Sequence, residues 1–150
     1  MNVTIKRTNS EDKDFINLVQ ELDAFLTIKN GESDDFYSQF NGLEDLRYVI
    51  VMYLNEKPIG CGALKQYDAK TVEVKRMYVS EKLQGKHFGL TILTALEIWA
   101  TELGNARCIL ETGTMLPEAI RFYEKNKYQR IPNYDQYIGA VESVCFEKRL

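Results

Sequence analysis

The stretch Val72-Glu73-Val74-Lys75-Arg76-Met77-Tyr78-Val79, then Ser80-Glu81-Lys82-Leu83 and Gln84-Gly85-Lys86-His87-Phe88-Gly89, constrains this chain more than any other. A β-rich run passes through a short charged linker into a glycine-bearing turn, which opens on the amphipathic pattern of residues 88–103. Arg107 to Thr112 returns as a short apolar strand. A strand–helix–strand crossover of this kind requires parallel pairing of 72–79 with 107–112 and a right-handed connection. The segments before it make a different demand. Residues 47–54 read as a strand, Asn55-Glu56-Lys57-Pro58 as a turn, and Ile59 to Tyr67 as the hairpin partner. Asp68-Ala69-Lys70 turns again into 72–79, so three neighbouring strands form an antiparallel meander. The expected fold is α/β with a mixed, mostly antiparallel sheet that holds one parallel strand pair and is flanked by helices.

The remaining elements follow from periodicity. Residues 3–7 predict a first strand, and Ser10 caps a helix in which Phe15, Leu18, Val19, Leu22, Phe25 and Leu26 recur at helical spacing. Asn30-Gly31 stops that helix. Ser33 to Phe40 predicts a second, short helix ended by Asn41-Gly42. The helix at about 87–103 is expected to bury Phe88, Ile92, Ala95, Leu96, Trp99 and Leu103 before Gly104-Asn105 ends it. Pro117 to Asn126 reads as the last helix, with Tyr128 to Ile131 and Ser143 to Glu147 as closing strands.

Within 72–79 the alternation slips: Val72 and Val74 share one phase, Met77 and Val79 the other. A β-bulge near Lys75-Arg76 produces such a shift, and bulges re-aim backbone groups beside active sites. Gly60 and Gly62 in the facing strand signal close approach of another group, or a bulge.

At 150 residues the chain is expected to form a single domain, 1–150. A formal charge of −3 gives no general attraction to nucleic acid or anionic lipid, so neither is an expected partner and any anion site is local. No apolar run approaches the roughly 20 residues that span a bilayer, and the N-terminal residues lack the apolar core of a secretory signal. A cytoplasmic location is the expectation. Three scattered cysteines and one histidine suit buried thiols and argue against a metal site.

A strand that delivers a turn to a helix N-terminus aims several free N–H groups at an anion, usually a phosphate. Neither the Gly-x4-Gly-Lys-Ser/Thr spacing nor Gly-x-Gly-x-x-Gly is present, so an ordinary nucleotide site is disfavoured. Instead, Glu73 to Val79 followed by Gln84-Gly85-Lys86-His87-Phe88-Gly89 closely resembles the acyl-coenzyme A motif of the GNAT superfamily of N-acetyltransferases. Ala119-Ile120-Arg121-Phe122-Tyr123-Glu124-Lys125-Asn126-Lys127-Tyr128 resembles that family's second signature, and the order of elements matches along the whole chain. Two departures stand out. His87 and Lys127 occupy positions where the family usually has glycine. A non-glycine at 87 fits if its φ is helical.

The resemblance implies an acetyl-CoA-dependent N-acetyltransferase acting on a primary amine of a small molecule or peptide, by direct transfer in a ternary complex. It implies the coenzyme pyrophosphate on the N–H groups of Leu83 through Leu90, that is Gln84, Gly85, Lys86, His87, Phe88, Gly89 and Leu90. His87 can add a ring N–H. The pantetheine arm pairs with the backbone of Met77, Tyr78 and Val79, with Met77 as oxyanion donor and Asn126 near the coenzyme. Glu73 is the candidate base and Tyr123 the candidate acid. Acetyl-CoA is thus the co-substrate, with no metal, and the resemblance allows a homodimer. Acceptor-site candidates are Asp34, Asp35, Tyr37, Glu111, Thr112, Tyr134 and Tyr137, which together suit a cationic amine. The alternative is a non-catalytic acyl-CoA-binding sensor, which needs the turn but not Glu73 or Tyr123.

Overall fold

Seven strands form one sheet: β1 (Val3–Thr8), β2 (Tyr48–Leu54), β3 (Lys57–Asp68), β4 (Thr71–Val79), β5 (Arg107–Gly113), β6 (Gln129–Ile131) and β7 (Ser143–Arg149). Their order in the computed structural model, which describes residues 2–31 and 45–150, is β1-β2-β3-β4-β5-β7-β6. Every neighbouring pair is antiparallel except β4 and β5. The mixed sheet and its one parallel pair are therefore as the sequence predicts. The helix expected at Ser33 to Phe40, with Asp34, Asp35 and Tyr37, lies outside the described residues.

The pleat sends alternate residues to opposite faces. On one face, Val72, Val74, Cys108, Leu110, Val144 and Phe146 pack under α2 (Phe88–Glu102) and α3 (Pro117–Lys125). On the other, Val49, Val51, Cys61 and Ala63 pack under Phe15, Leu18 and Leu22 of α1 (Lys13–Asn30). All three cysteines are buried thiols. Burial pushes Cys61 and Cys108 up to about 12 and Cys145 up to about 11, so they stay protonated at neutral pH.

Two local expectations are corrected. The cap of α1 is Asp12, whose Oδ1 accepts from the N–H groups of Asp14 and Phe15 at 2.9 and 3.2 Å. Ser10 instead joins the chain ahead of α1 to the approach of β2, exchanging bonds with Leu46. The buried face of α2 comprises Phe88, Ile92, Leu93, Leu96 and Ala100. Ala95 and Trp99 are only half-buried, and Leu103 is exposed. Arg7 stacks over the Trp99 ring at 4.6 Å, which lets that large ring sit at the edge of the core.

The bulge is present. Cys61 faces Tyr78 and Ala63 faces Lys75, so Arg76 and Met77 oppose Gly62 alone. Arg76 takes the left-handed conformation with φ 59°. The glycine reading also holds. A Cβ on Gly60 would sit 2.9 Å from both the Tyr78 carbonyl oxygen and Ile92 Cδ1. One on Gly62 would sit 2.8 Å from Met77 Sδ and Leu96 Cδ1. Close approach of α2 and the bulged strand thus excludes side chains from β3 at these points.

Candidate active site

Parallel pairing between β4 and β5 lasts three residues, from Thr71↔Arg107 to Glu73↔Ile109, and then stops. Beyond Glu73 the strands part, because β4 bulges towards β3 while β5 stays paired with β7 along its whole length. The parting opens a cleft of about 1100 Å³, walled by β4, β5, the start of α2, the cleft side of α3 and the second half of α1.

At the α2 end, a 3₁₀ turn at Glu81–Leu83 leads into the glycine turn. The Leu83 and Gln84 N–H groups already donate to the Ser80 and Glu81 carbonyls, at 2.8 and 3.3 Å. That corrects the expected donor set. Gln84 also turns its side-chain amide back onto the Val79 carbonyl at 3.0 Å, bracing the turn. The N–H groups of Gly85 and Lys86 enter no backbone bond among the described residues. Those of His87, Phe88, Gly89 and Leu90 are the donors that a helix start leaves without helical partners. Gly85 has φ 80°, the left-handed turn that glycine adopts without penalty. A Cβ on Gly89 would meet Phe122 Cζ at an ordinary 3.6 Å. The protein's own packing therefore does not demand glycine at 89, whereas a ligand lying against this first helical turn does.

His87 caps α2 with φ 66° and ψ 10°, and its side chain makes no capping bond. The helical φ that would make a non-glycine comfortable here is not adopted. The residue carries the left-handed strain, roughly 1–2 kcal/mol for a side chain with a Cβ. Lys127, the other departure from glycine, has φ 73°. Both departures therefore fall where the backbone itself favours glycine.

Along the open edge, the Ser80 N–H donates to the Ile59 carbonyl at 2.9 Å, which turns Ser80 and Tyr78 towards β3. Ladder alternation then turns the backbone groups of Met77 and Val79 into the cleft. Tyr78 reaches the cleft wall, but its backbone faces β3, where it pairs with Cys61, and its hydroxyl donates to Glu21 of α1 at 3.2 Å. Arg76, with a side chain only 8% exposed, pairs with Asp23 at 2.8 Å. Two polar links thus tie α1 to the bulged strand.

Where the strands begin to part stands Glu73, 8% exposed, its Oε2 accepting from the Tyr134 hydroxyl at 2.7 Å. Burial and the Glu73 charge push the Tyr134 phenol well above its usual range, so it remains a donor. Glu111, two residues past the last β4–β5 pair, also lines the cleft. Burial pushes its carboxyl up to about 7, a Ser143 hydrogen bond opposes the rise, the Glu73 charge adds to it and Lys75 opposes it. From the other face comes Tyr123, 7% exposed, in edge contact with the rings of Phe122 and Tyr128. Burial, with Glu111 nearby, pushes its phenol far up, so it keeps its proton at neutral pH. Asn126 ends α3 and folds its amide onto the Phe122 carbonyl at 2.8 Å while lining the cleft.

The structure thus brings Glu73, Met77, Val79, Tyr123, Asn126 and the 84–90 turn apart from Lys86 to one cleft, which Lys86 does not line. Of the acceptor-site candidates, Glu111, Thr112 and Tyr137 line the cleft, and Tyr134 stands beside it through its bond to Glu73, a partnership that no spacing in the sequence signals.

A model described as the acetyltransferase (GNAT) family matches residues 15–128. An IAA acetyltransferase of Azospirillum brasilense is 29% identical, over 99% of both chains. The uncharacterised N-acetyltransferase YsnE of Bacillus subtilis is 30% identical, over 73% of this chain and 76% of its own. Among solved structures, a Klebsiella pneumoniae protein described provisionally as an acyl-CoA N-acyltransferase superposes with a TM-score of 0.82 at 28% identity, covering 99% of this chain and 97% of the other. The PaiA N-acetyltransferase of Thermoplasma acidophilum, solved in complex with coenzyme A, superposes at 0.71 with 18% identity over both whole chains.

Proposed function

The chain belongs to the acetyltransferase (GNAT) family and is an acetyl-CoA-dependent acyltransferase, and from that premise we propose that it acetylates a primary amine by direct transfer in a ternary complex. One observation carries the reading. The splay of β4 from β5 sets an open backbone edge, a row of orphan helix donors and a buried carboxylate around a single cleft. The residues present fit the coenzyme. The N–H groups from Gly85 to Leu90 suit a pyrophosphate, with room left at Gly89. The edge at Met77 and Val79 suits an amide-bearing arm that adds as a strand, and Asn126 lines the same cleft. A fold neighbour crystallised with coenzyme A supports the same reading.

Bound there, acetyl-CoA supplies the thioester whose carbonyl carbon the amine attacks. The chain's own part is positioning and proton transfer. The Met77 N–H stabilises negative charge that develops on the carbonyl oxygen. Glu73 accepts the proton that turns an ammonium into a nucleophile, directly or through water, with the Tyr134 hydrogen bond holding its orientation. Tyr123, protonated at neutral pH, donates to the departing sulfur.

Thiol release measured over amino acids, polyamines, aminoglycosides and peptide N-termini tests this, alongside calorimetric binding of acetyl-CoA. Glu73→Gln is expected to bind acetyl-CoA as the parent does and to lose about 100-fold in turnover. Full turnover in that variant would remove Glu73 as base. Binding of acetyl-CoA with no release for any acceptor would favour the sensor.

A further inference from the structure

We infer that Glu73 and Glu111 together form the seat of the acceptor, selective for a cationic amine with no carboxylate beside its nitrogen. This rests on the acetyltransferase reading and adds the substrate class and a second acceptor-site residue. The β4–β5 register sets Glu73 opposite Ile109, and Glu111 follows two residues on along β5. Period-two alternation therefore points both carboxylates to the same face, at the place where the strands separate. Both line the cleft.

The groups around this pair come from several elements, and Lys29 of α1 and Glu142 ahead of β7 line the same cleft. Lys75 belongs to β4, Cys145 of β7 pairs directly opposite Glu111, Tyr134 and Tyr137 lie on the loop between β6 and β7, and Tyr123 comes from α3. Tyr137 lines the cleft, and the Tyr134 ring meets it edge to face at 5.8 Å. Such phenol rings suit the flank of a cation. A second observation is independent of the carboxylates. Among the described residues the Tyr123 hydroxyl has no hydrogen-bond partner, although its side chain is 7% exposed and borders the same cleft. A buried hydroxyl left without a partner is costly, and a ligand in the cleft supplies one.

Charge decides the class of acceptor. Burial holds the Glu111 carboxyl up to about 7, a Ser143 hydrogen bond opposes the rise and the nearby Glu73 charge adds to it. An entering ammonium replaces that proton as the counter-charge, so Glu111 ionises beside it. When the ammonium gives up a proton, its N–H bond breaks, an O–H bond forms on the carboxylate pair, and the electron pair stays on nitrogen. An α-amino acid brings a third carboxylate into this space, and like charges across a contact select strongly against it.

Matched acceptors test the seat: phenethylamine against phenylalanine, tyramine against tyrosine, and agmatine against arginine, each followed by thiol release with the full chain. The amine of each pair is expected to show a kcat/KM roughly tenfold or more above its amino acid. Glu111→Gln should narrow that ratio to about threefold or less and move the acid limb of the pH profile, whereas Glu111→Asp keeps the preference. Amino acids that match or exceed their amines would overturn the proposal. So would a Glu111→Gln enzyme with ratio and acid limb both unmoved. If neither member of any pair turns over, the transfer reading fails. Calorimetric binding of the same pairs to the protein–coenzyme A complex then judges the seat alone: tighter binding of the amine upholds it, and equal or weaker binding overturns it.

Discussion

The α2 wall of the cleft presents main-chain N–H groups, from the turn at Gly85 to the first residues of the helix. The wall formed by β5 and the loop between β6 and β7 presents side chains, chiefly Glu111 and Tyr137, beside Glu73 on β4, which Tyr134 holds by a hydrogen bond. The first wall requires a backbone shape, which many side chains at its exposed positions can satisfy. The second requires particular carboxylates and phenols held in register by strands distant in sequence. The difference separates the two halves of the reaction. Coenzyme binding is to be robust to substitution, and acceptor chemistry is to depend on single groups.

Tyr123→Phe strains that division most. It removes a hydroxyl and little packing, so turnover should fall about 100-fold while acetyl-CoA affinity stays within about twofold. An equal loss in both would merge the two walls into one. Glu111→Gln should next expose the cost of the acceptor wall. Burial raises the Glu111 carboxyl from 4.5 to about 7, so the native state binds a proton more tightly than the unfolded chain between those values. Parent stability therefore falls as pH rises through that window. Glutamine does not titrate, and the variant should gain on the order of 2 kcal/mol above it and nothing below it, read from urea unfolding at both ends.

Smaller effects sharpen the picture. Tyr134→Phe takes away the hydrogen bond to Glu73 and should lower turnover about tenfold without changing acetyl-CoA affinity. On the other wall, His87→Gly should relieve left-handed strain and raise stability by about 1 kcal/mol, with acetyl-CoA bound as well as before or better. Weaker binding in that variant would show that the His87 ring holds a phosphate.

Legibility divides along the same line. The phase slip from Val74 to Met77 announced the bulge, and Gly60, Gly62 and the 84–89 turn announced close packing and a helix start, because each is a local backbone requirement. The cap fell on Asp12 and not Ser10, since Ser10 is taken by Leu46, 36 residues away. Leu93 and Ala100 stand in place of Trp99 and Leu103 on the buried face of α2, and Arg7, from a strand far away in sequence, stacks on Trp99 at the edge of the core. The Tyr134–Glu73 bond spans 61 residues. No spacing rule reaches that far, and the bond exists only once β5, β7 and their loop have assembled. The left-handed φ of His87 has a related origin. The turn geometry is set by the 3₁₀ segment and by Gln84 bracing Val79, and the side chain at 87 accommodates to it.

The central claim is transfer of the acetyl group to nitrogen, and mass analysis of the acceptor after incubation of the chain with acetyl-CoA and agmatine tests it most directly. The account predicts agmatine carrying one acetyl group on its primary amine, formed in step with free coenzyme A thiol and absent when Glu73 is glutamine. Thiol released with agmatine unmodified, or acetyl-CoA bound and left intact with every amine offered, would contradict it.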